Sequence, residues 1–393
     1  MKTIENIAEN TKVSFFKTNY GASEYFLTIT SKGGISFQDS LDAIAKKYEQ
    51  ALDTYQLDRT TVQFTRVYLS DISNEQPLVI NSHLYNLINN GAVSFIQQPP
   101  LDSGFISILS YHITDSQSII SRKQFFDPCN PLRQRLLITS KQYSLFWTAN
   151  YCAQPGECSE AQTERLFADF CSDLHEQGFT LKNDVMRTWI YIRDIDNNYN
   201  GMVNARRELF HKIGLEASSR YIASTGIEGC SFNPATLVTM DALAIGNLKE
   251  EQVIRMTAPQ HLSDTILYGV TFERGLKIRF GDRSHFYISG TASIDSNGHI
   301  LYPGDVKKQT IRTLENIRAL LEPHSATIKD MKYLIVYLRN PKHLNVIKDT
   351  LTSQLPPDIP MLFVQGPVCR PGWLVEIEGV GVVSDNNEFE PFI

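Results

Sequence analysis

The sequence has no long apolar run, no close pair of cysteines and no excess of positive charge. No segment of the 393 residues reaches the roughly 18 to 20 apolar residues that a membrane-spanning helix needs. The N-terminal segment MKTIENIAENTK lacks the apolar core of a secretion signal. A net charge of -6 argues against a nucleic-acid partner, because such a partner requires a basic surface. These absences predict a cytoplasmic protein that binds neither membranes nor nucleic acids.

The cysteines, histidines and glycines show no pattern of a metal or nucleotide site. The six cysteines contain no CxxC pair: Cys129, Cys152, Cys158, Cys171, Cys230 and Cys369. Cys152 and Cys158 have no partner at zinc-finger spacing, and the histidines show no paired ligand spacing. The segments GIEG and GGIS are too short for a GxGxxG nucleotide loop. We therefore predict free thiols in a reducing compartment, no metal and no cofactor.

One order of helices and strands is most evident in the C-terminal part of the chain. The composition, 42% hydrophobic and 20% charged, is typical of a globular protein with a large core. The order comprises strand SGTASI, helix Gly304–Leu321, strand Lys332–Pro341, helix Leu344–Leu355 and an alternating strand within Val368–Val382. Apolar residues in the first helix recur at three-and-four spacing, which predicts one buried face.

The same order occurs twice upstream. The first copy has helix Phe37–Leu52, strand Val62–Asp71, helix His83–Asn90 and strand Ser103–Ile113. The second copy has strand Tyr143–Tyr151, helix Glu160–Gly178, strand Met186–Ile195, helix Asn200–Gly214 and strand Ala235–Gly246. The strands FTRVYLSD, RTWIYIRD and KYLIVYLRN superpose most readily. A repeat of this length predicts three related structural units rather than a solenoid.

These three units predict an α+β protein, with helices on one face of mostly antiparallel sheets. We predict an N-terminal unit over 1–140, a second unit over 141–248 and a C-terminal unit over 284–393. The segment 249–283 fits none of the copies, so it is interpreted as a connector that either lines a site or forms a surface loop. Three fused units closing around a common core would form a pseudo-trimer, which predicts a monomeric chain, although higher assembly stays open.

Each unit resembles the Rid (reactive intermediate deaminase) family, also known as YjgF-like or endoribonuclease L-PSP-like proteins with a chorismate-mutase-like βαβ fold. Members are homotrimers with clefts between subunits, and the closing segment LVEIEG is the most specific signature here. Rid deaminases carry an arginine upstream of that strand to hold the substrate carboxylate. Met361 stands near that place in this chain, which argues against simple imine deamination.

A closer resemblance, to the chorismatase family, covers roughly the last two thirds of the chain. The segments that carry it are Y…NARREL (Tyr199–Leu209), ASTGIEG, LYGVTFERG, SGTASI, GDVKKQTIRTLENI, VYLRNP and VCRPGWLVEIEG. Their order and spacing, rather than any single segment, are specific. The resemblance implies a fold of fused Rid-like units and the cofactor-independent removal of pyruvate from chorismate. The first 140 residues match only as a generic Rid-like unit.

The resemblance implies that Glu376 is the catalytic acid. Chorismate is a small dianion, and acid cleavage of its enol-pyruvyl ether requires a carboxylic acid that stays protonated near neutral pH. Burial raises a carboxyl pKa because the charged form loses solvation. Strand alternation places Glu376 and Glu378 on one face, so Glu378 remains a competitor for the role. A solvent-facing or structural role for Glu376 is the alternative interpretation.

Other candidate site residues follow from the same resemblance. Cys369 stands seven residues before Glu376, where the branch that makes 3-hydroxybenzoate carries a cysteine; alternatively it is a small buried apolar residue. Arginine binds carboxylates through its planar fork, and the candidates are Arg206, Arg274 and Arg339. Tyr268 would donate a hydrogen bond to the substrate or simply pack, and Gly290 would permit close approach of its ring.

We therefore predict a chorismatase that releases pyruvate from chorismate and gives a hydroxybenzoate. The alternatives are a Rid-type hydrolase of imines or enamines, and a non-catalytic binder of small ligands on the same scaffold. A chorismatase requires Glu376 and at least two arginines in one closed pocket between units. The exact product, the pathway that it feeds and the role of the N-terminal unit stay open at this point.

Overall fold

The computed structural model of the chain describes residues 4–18, 21–33, 36–101, 104–115, 119–128, 130–154, 156, 158–216, 219–263, 265 and 270–393. Two residues discussed above, Cys129 and Tyr268, lie outside these ranges. The described residues form three six-stranded sheets with helices packed on them. None of these helices is both long and apolar enough to cross a membrane.

The first sheet contains β1 (Ile4–Ala8), β2 (Thr11–Phe16), β3 (Ala22–Thr30), β4 (Val62–Leu69), β5 (Ala92–Gln97) and β6 (Ile106–Asp115). Its helices are α1 (Phe37–Tyr55), α2 (Ile72–Ile80) and α3 (His83–Ile88). The strand order is β1-β2-β3-β6-β4-β5. Only β4 and β5 pair in parallel; the other neighbours are antiparallel. The mixed sheet confirms the predicted α+β class.

The second sheet contains β7 (Ser121–Phe126), β8 (Gln134–Thr139), β9 (Ser144–Cys152), β10 (Val185–Ile192), β11 (Ala223–Glu228) and β12 (Val238–Gly246). Its helices are α4 (Ser159–Glu176), α5 (Leu181–Asp184) and α6 (Ile195–Lys212). The strand order β7-β8-β9-β12-β10-β11 repeats that of the first sheet, with β10 and β11 as the parallel pair.

The third sheet contains β13 (Val253–Arg255), β14 (Gly275–Arg279), β15 (Arg283–Ala292), β16 (Met331–Leu338), β17 (Met361–Gln365) and β18 (Val375–Ser384). Its helices are α7 (Val306–Leu321) and α8 (Leu344–Gln354). Asp305 caps α7 by accepting a hydrogen bond from the Lys308 amide, and the predicted apolar face of α7 is buried. The order β13-β14-β15-β18-β16-β17 repeats the pattern a third time.

Three short bridges close the sheets into a ring. Gln97 at the end of β5 pairs with Cys230 in the loop before β12. Ile227 of β11 pairs with Val368 in the loop before β18. Val364 of β17 pairs with Pro100 in the loop before β6, so each sheet contacts the next and the third contacts the first. This arrangement confirms the predicted pseudo-trimer.

Three buried ion pairs lie between the sheets. Arg187 of β10 binds Glu378 of β18 at 2.6 Å, and Arg66 of β4 binds Asp241 of β12 at 3.2 Å. The third pair joins the Arg283 side chain of β15 to Glu24 of β3 at 2.7 Å. Breaking a buried pair leaves an uncompensated charge, so these pairs favour the arrangement in which each sheet packs against its observed neighbour.

The sheets begin at different places from the predicted unit boundaries. Strands β7 and β8, which lie within the predicted N-terminal unit 1–140, pair with β9 of the second sheet. Strands β13 and β14, which lie within the predicted connector 249–283, extend the third sheet next to β15. The polar sequence SRKQFF of β7 gives no alternating apolar signal because this edge strand is largely exposed. The second and third sheets therefore each begin with a hairpin, β7–β8 or β13–β14, that lies upstream of the predicted start of the unit.

Candidate active site

A cavity of about 270 Å³ lies between the second and third sheets. Helix α6 and strand β11 form one wall, and β15, β18 and the loop before β18 form the other. The polar and small residues that matter for its chemistry are Tyr199, Arg206, Ser224, Thr225, Arg274, Gly290, Cys369 and Glu376. The cavity is therefore built from two different repeats, as a site between the subunits of a trimer would be.

Glu376 contributes the acidic group of this cavity. It lies in β18 between Ala292 of β15 and Tyr337 of β16, and only 5% of the residue is exposed. Burial, together with the negative charge of Glu378, raises the pKa of its carboxyl to about 8, while Arg274 and Arg187 oppose the shift. Within the described part of the chain, no hydrogen bond contributes to holding the charged form. Glu376 is therefore a carboxylic acid at neutral pH.

Glu378 lies on the same face of β18 but outside the cavity. Its Oε1 atom accepts hydrogen bonds from Trp189 Nε1 at 2.9 Å and from the Tyr337 hydroxyl at 3.0 Å. Its Oε2 atom accepts hydrogen bonds from Arg187 Nη2 at 2.6 Å and from the Thr225 hydroxyl. Because four donors occupy its two oxygens, Glu378 has a structural role beneath the site, and Glu376 faces the cavity.

Gly290 makes room for the Glu376 carboxyl. A Cβ atom at position 290 would lie 2.2 Å from Glu376 Oε1, far inside van der Waals contact. The Gly290 amide donates a hydrogen bond of 2.9 Å to Thr225 Oγ1, which itself donates to Glu378. The glycine of SGTASI therefore permits a close approach of the Glu376 carboxyl, whereas the sequence analysis expected an approach of the substrate ring.

Arg206 places an unusual positive charge in the cavity wall. Only 3% of the residue is exposed. Its Nε donates to Thr271 Oγ1 at 3.1 Å and its Nη1 donates to Ser224 Oγ at 3.4 Å. Burial lowers the pKa of the guanidinium, and no carboxylate from the described ranges pairs with it. A buried cation that has only hydroxyl partners favours an anionic ligand.

Arg274 is a second buried cation on the same cavity. Its Nε and Nη2 atoms donate to the Ser263 carbonyl at 3.3 and 3.1 Å, and its guanidinium carbon lies 5.4 Å from the centre of the Phe272 ring. Its charge opposes the rise in the pKa of Glu376, so the two groups interact electrostatically. The cavity thus combines one neutral acid with two buried guanidinium groups, and Arg207 and Arg370 also line it.

Cys369 lies next to the acid, in the loop before β18. Burial, together with the neighbouring Glu376, raises the pKa of its thiol to about 12, while a hydrogen bond with the Tyr199 side chain opposes the shift. The thiol is therefore protonated at neutral pH. It can donate a hydrogen bond or fill space, but it is not a thiolate nucleophile.

One other predicted binding residue, Arg339, does not line the cavity. Arg339 binds both oxygens of Asp196 at 2.9 and 2.8 Å and donates to the Val368 carbonyl at 2.5 Å. It therefore joins the start of α6 to the loop that carries Cys369, and it does not line the cavity. Tyr268 lies outside the described residues.

Sequence reasoning did not select several residues that shape this site. Thr225 and Ser224 contribute hydroxyls from β11, and Trp373 closes the wall next to the loop of Cys369. Arg187 lies below the cavity and holds Glu378. The available signal for Arg187 was a charge at an inward position of an apolar strand, MRTWIYI, because a buried arginine requires a partner.

The cavity does not have the composition of a metal site. In the described ranges, no group of three His, Cys, Asp or Glu side chains is arranged to hold a metal ion.

Comparisons with known proteins place this geometry in a structural context. Residues 279–383 match the family model described as Endoribonuclease L-PSP. A crystal structure of a chorismatase aligns with a TM-score of 0.65 at 17% sequence identity, over 93% of this chain and 100% of that chain.

Single-unit proteins align with about one third of the chain. RidA from the Antarctic bacterium Psychrobacter sp. is 21% identical over 33% of this chain and 99% of its own, with a TM-score of 0.29. E. coli TdcF with bound serine is 19% identical over the same shares, with a TM-score of 0.28. The fold of this chain is that of a chorismatase, and its last unit matches the endoribonuclease L-PSP (Rid) family.

Proposed function

We propose that this protein is a chorismatase, which removes pyruvate from chorismate by acid catalysis and gives a hydroxybenzoate. The observation that carries the proposal is the convergence of a neutral Glu376 with the buried cations Arg206 and Arg274 in one cavity between two units. A Rid-type hydrolase or a passive binder would not require a protonated acid at this place.

The charges of the cavity complement those of the substrate. Chorismate carries two carboxylates, and the cavity presents two buried guanidinium groups, those of Arg206 and Arg274, and no ionised carboxylate at neutral pH. The guanidinium of Arg206 has only hydroxyl partners in the described structure, so one substrate carboxylate would supply its counter-charge. A guanidinium and a carboxylate can form two parallel hydrogen bonds, which orient as well as bind.

Glu376 acts as the general acid in this mechanism. Its proton is transferred to the methylene carbon of the enol-pyruvyl group, which becomes the methyl group of pyruvate. Positive charge develops at the ether carbon, and cleavage of the bond between the ring and the ether oxygen leaves the pyruvate carbonyl. A positioned acid of this kind contributes typically about 10²–10⁴-fold to the rate.

Cys369 supports a hydroxybenzoate as the product. By resemblance, a cysteine at this place accompanies the branch in which the ring hydroxyl of the substrate, rather than water, displaces the enol-pyruvyl group. The atoms of chorismate then equal those of pyruvate plus hydroxybenzoate, and no water is consumed. A dihydrodiol product would instead require one water per turnover.

The test is incubation of the purified protein with chorismate, with pyruvate measured by coupling to lactate dehydrogenase and the ring products separated by chromatography. Glu376→Gln is the matched variant, because it keeps the shape of the side chain and removes the acid. Pyruvate and 3-hydroxybenzoate from the wild type alone would support the proposal in full. Pyruvate with a dihydrodiol would retain the chorismatase and overturn the product.

No consumption of chorismate, or full activity of Glu376→Gln, would overturn the proposed mechanism. Imines and enamines of amino acids would then be the next substrates to test, because the Rid-type hydrolase is the remaining enzymatic hypothesis. Met361, where Rid deaminases hold the substrate carboxylate with an arginine, begins β17 in this chain and argues against that outcome.

A further inference from the structure

A second cavity, of about 390 Å³, lies between the first and second sheets, and we name it the second cleft. Residues that line it include Gln76, Phe95, Arg133, Cys152, Phe232 and Thr239. It is formed by α2 and β5 of the first sheet, together with β9 and the loop before β12 of the second. The second cleft therefore lies between the first and second sheets in the same way as the candidate active site lies between the second and third sheets.

The strand registers show that the two cavities are equivalent at their catalytic position. Glu376 pairs across β18 with Tyr337 and Ala292. Thr239 pairs across β12 with Tyr191 and Cys152 in the same way. Thr239 therefore stands where the acid stands in the third sheet, and the second cleft has no proton donor of comparable acidity at that point.

The support beneath both cavities is also the same. Asp241, two residues after Thr239, accepts a hydrogen bond from Ser94 Oγ at 2.6 Å and pairs with Arg66. Glu378, two residues after Glu376, is held by a β11 hydroxyl and an arginine in the same manner. The supporting contacts beneath the second cleft are thus the same as those beneath the candidate active site, although no carboxyl stands at the position equivalent to Glu376.

Three polar atoms that line the second cleft have no hydrogen-bond partner among the described residues. They are Gln76 Oε1, Arg133 Nε and Ser231 Oγ. Gln76 is only 2% exposed, so its carbonyl oxygen is not compensated by bulk solvent. An unpaired buried polar group is destabilising, and such groups in native proteins require an explanation. These atoms are one hydrogen-bond acceptor, one N–H donor and one hydroxyl. A ligand that both donates and accepts hydrogen bonds would supply their missing partners.

The charges of the second cleft exclude a dianion. Arg133 is already bound by Asp169 at 2.9 Å and by Asp127 at 3.4 Å, and all three residues line the cleft. Two carboxylates therefore outnumber one guanidinium in the second cleft, whereas four arginines and one neutral carboxyl line the candidate active site. Two aromatic side chains, the buried Phe95 and the 42% exposed Phe232, supply flat apolar surface.

We propose that the second cleft is a separate binding site for a small uncharged ring compound that carries both a hydrogen-bond donor and an acceptor. A primary aromatic amide is the simplest compound of this class. Its N–H group would donate to Gln76 Oε1 and its carbonyl would accept from Arg133 Nε, while the ring packs on Phe232. Binding at this site is independent of the proposed turnover of chorismate.

Benzamide is the probe that tests this site, and benzoate is the matched anion of the same shape. Binding to the purified full chain is measured by ligand-observed NMR and by calorimetry, and the position is read from crystals soaked with benzamide. We expect benzamide to bind at least about tenfold more tightly than benzoate, because benzoate meets a net negative charge and offers no donor to Gln76. Density for benzamide should lie between Phe232 and Gln76.

Two variants locate the binding. Gln76→Leu removes the unpaired acceptor and should weaken benzamide binding about tenfold without lowering the melting temperature. Arg206→Met changes only the candidate active site and should leave benzamide binding unaltered. The proposal is overturned if benzamide does not bind at about 10 mM, if benzoate binds as tightly, or if binding is lost in Arg206→Met and kept in Gln76→Leu.

Discussion

The carboxyl of Glu376 occupies the space that a side chain at position 290 would need. A Cβ atom on Gly290 would lie 2.2 Å from Glu376 Oε1 and 2.8 Å from its carboxyl carbon. The acid therefore reaches the cavity by passing directly over the backbone of β15. Gly290 lies within a strand rather than in a turn, and the absence of its side chain leaves the space that the Glu376 carboxyl occupies.

Gly290→Ala should displace the acid without unfolding the protein. Because the methyl group and the carboxyl cannot share the space, Glu376 must rotate away from the substrate, and we expect pyruvate release to fall by about 10²–10⁴-fold, the usual contribution of a positioned acid. Gly226→Ala is the control, since its nearest neighbour, Tyr199 Cε2, would lie at an ordinary 3.4 Å. Equal activity of the two variants would contradict this role of Gly290.

The protonation of Glu376 predicts the pH dependence of the reaction. Burial raises the pKa of the carboxyl to about 8, and the acid must be protonated to act. We therefore expect kcat/KM to be constant at neutral pH and to fall about tenfold per pH unit above about pH 8, because kcat/KM reports the free enzyme. A kcat/KM that rises through pH 8 would show that a base, not this acid, limits the reaction.

Glu378→Gln should shift that pH limit downwards. The negative charge of Glu378 is one cause of the raised pKa of Glu376, and its removal also frees the positive charge of Arg187. Both changes favour the ionised form of Glu376, so the fall in kcat/KM should begin at lower pH. The variant should also lose about 3–5 kcal/mol of stability, because a buried charge is left unpaired.

Asp241→Asn is the matched control for that experiment. It breaks the equivalent buried pair with Arg66 between the first and second sheets, where Glu376 does not lie. Thermal unfolding should show a comparable loss of stability, whereas the pH dependence of kcat/KM should not move. A shift of the same size in Asp241→Asn would show that general destabilisation, rather than local charge, causes the change.

Arg206→Met should separate binding from stability. Removal of a buried cation that has only hydroxyl partners relieves a desolvation cost, so we expect the melting temperature to be unchanged or higher. KM for chorismate should rise at least about tenfold, since a hydrogen-bonded charge pair contributes about 1.5–3 kcal/mol. Arg339→Met, which breaks the exposed pair with Asp196, should leave KM nearly unchanged.

The elements of the third unit were predictable because their residues alternate or recur with a clear period. Helix α7 has its apolar residues on one buried face, and β18 keeps the two glutamates on one side. The hairpins β7–β8 and β13–β14 were assigned elsewhere. Their outer strands β7 and β13 are short edge strands that are at most partly buried, and such strands carry no clear period. Local sequence therefore indicated the core of each sheet better than its edge.

The roles of individual arginines depended on contacts between distant segments. Arg339 was a reasonable candidate for substrate binding until the structure placed Asp196, 143 residues away in sequence, against it. Arg187 was missed because its partner Glu378 lies 191 residues away in another sheet. A sequence shows that a strand carries a charge, but the partner of that charge is decided by how the three sheets close.

The thiol of Cys369 should be unreactive at neutral pH. Because burial raises the pKa of its thiol to about 12, Cys369 should resist iodoacetamide at about pH 8, whereas the exposed Cys158 should react, as peptide mass spectrometry would show. Rapid labelling of Cys369 would contradict a neutral, sheltered thiol.

Cys369→Ala should still release pyruvate but should divert part of the ring product from hydroxybenzoate to dihydrodiol. Glu376 remains in place to protonate the enol, and the smaller side chain leaves space next to it that a water molecule can enter. Chromatographic separation of the ring products distinguishes the two routes, because only hydrolysis, which consumes one water, gives the dihydrodiol. Hydroxybenzoate as the sole product of Cys369→Ala would show that the thiol only fills space.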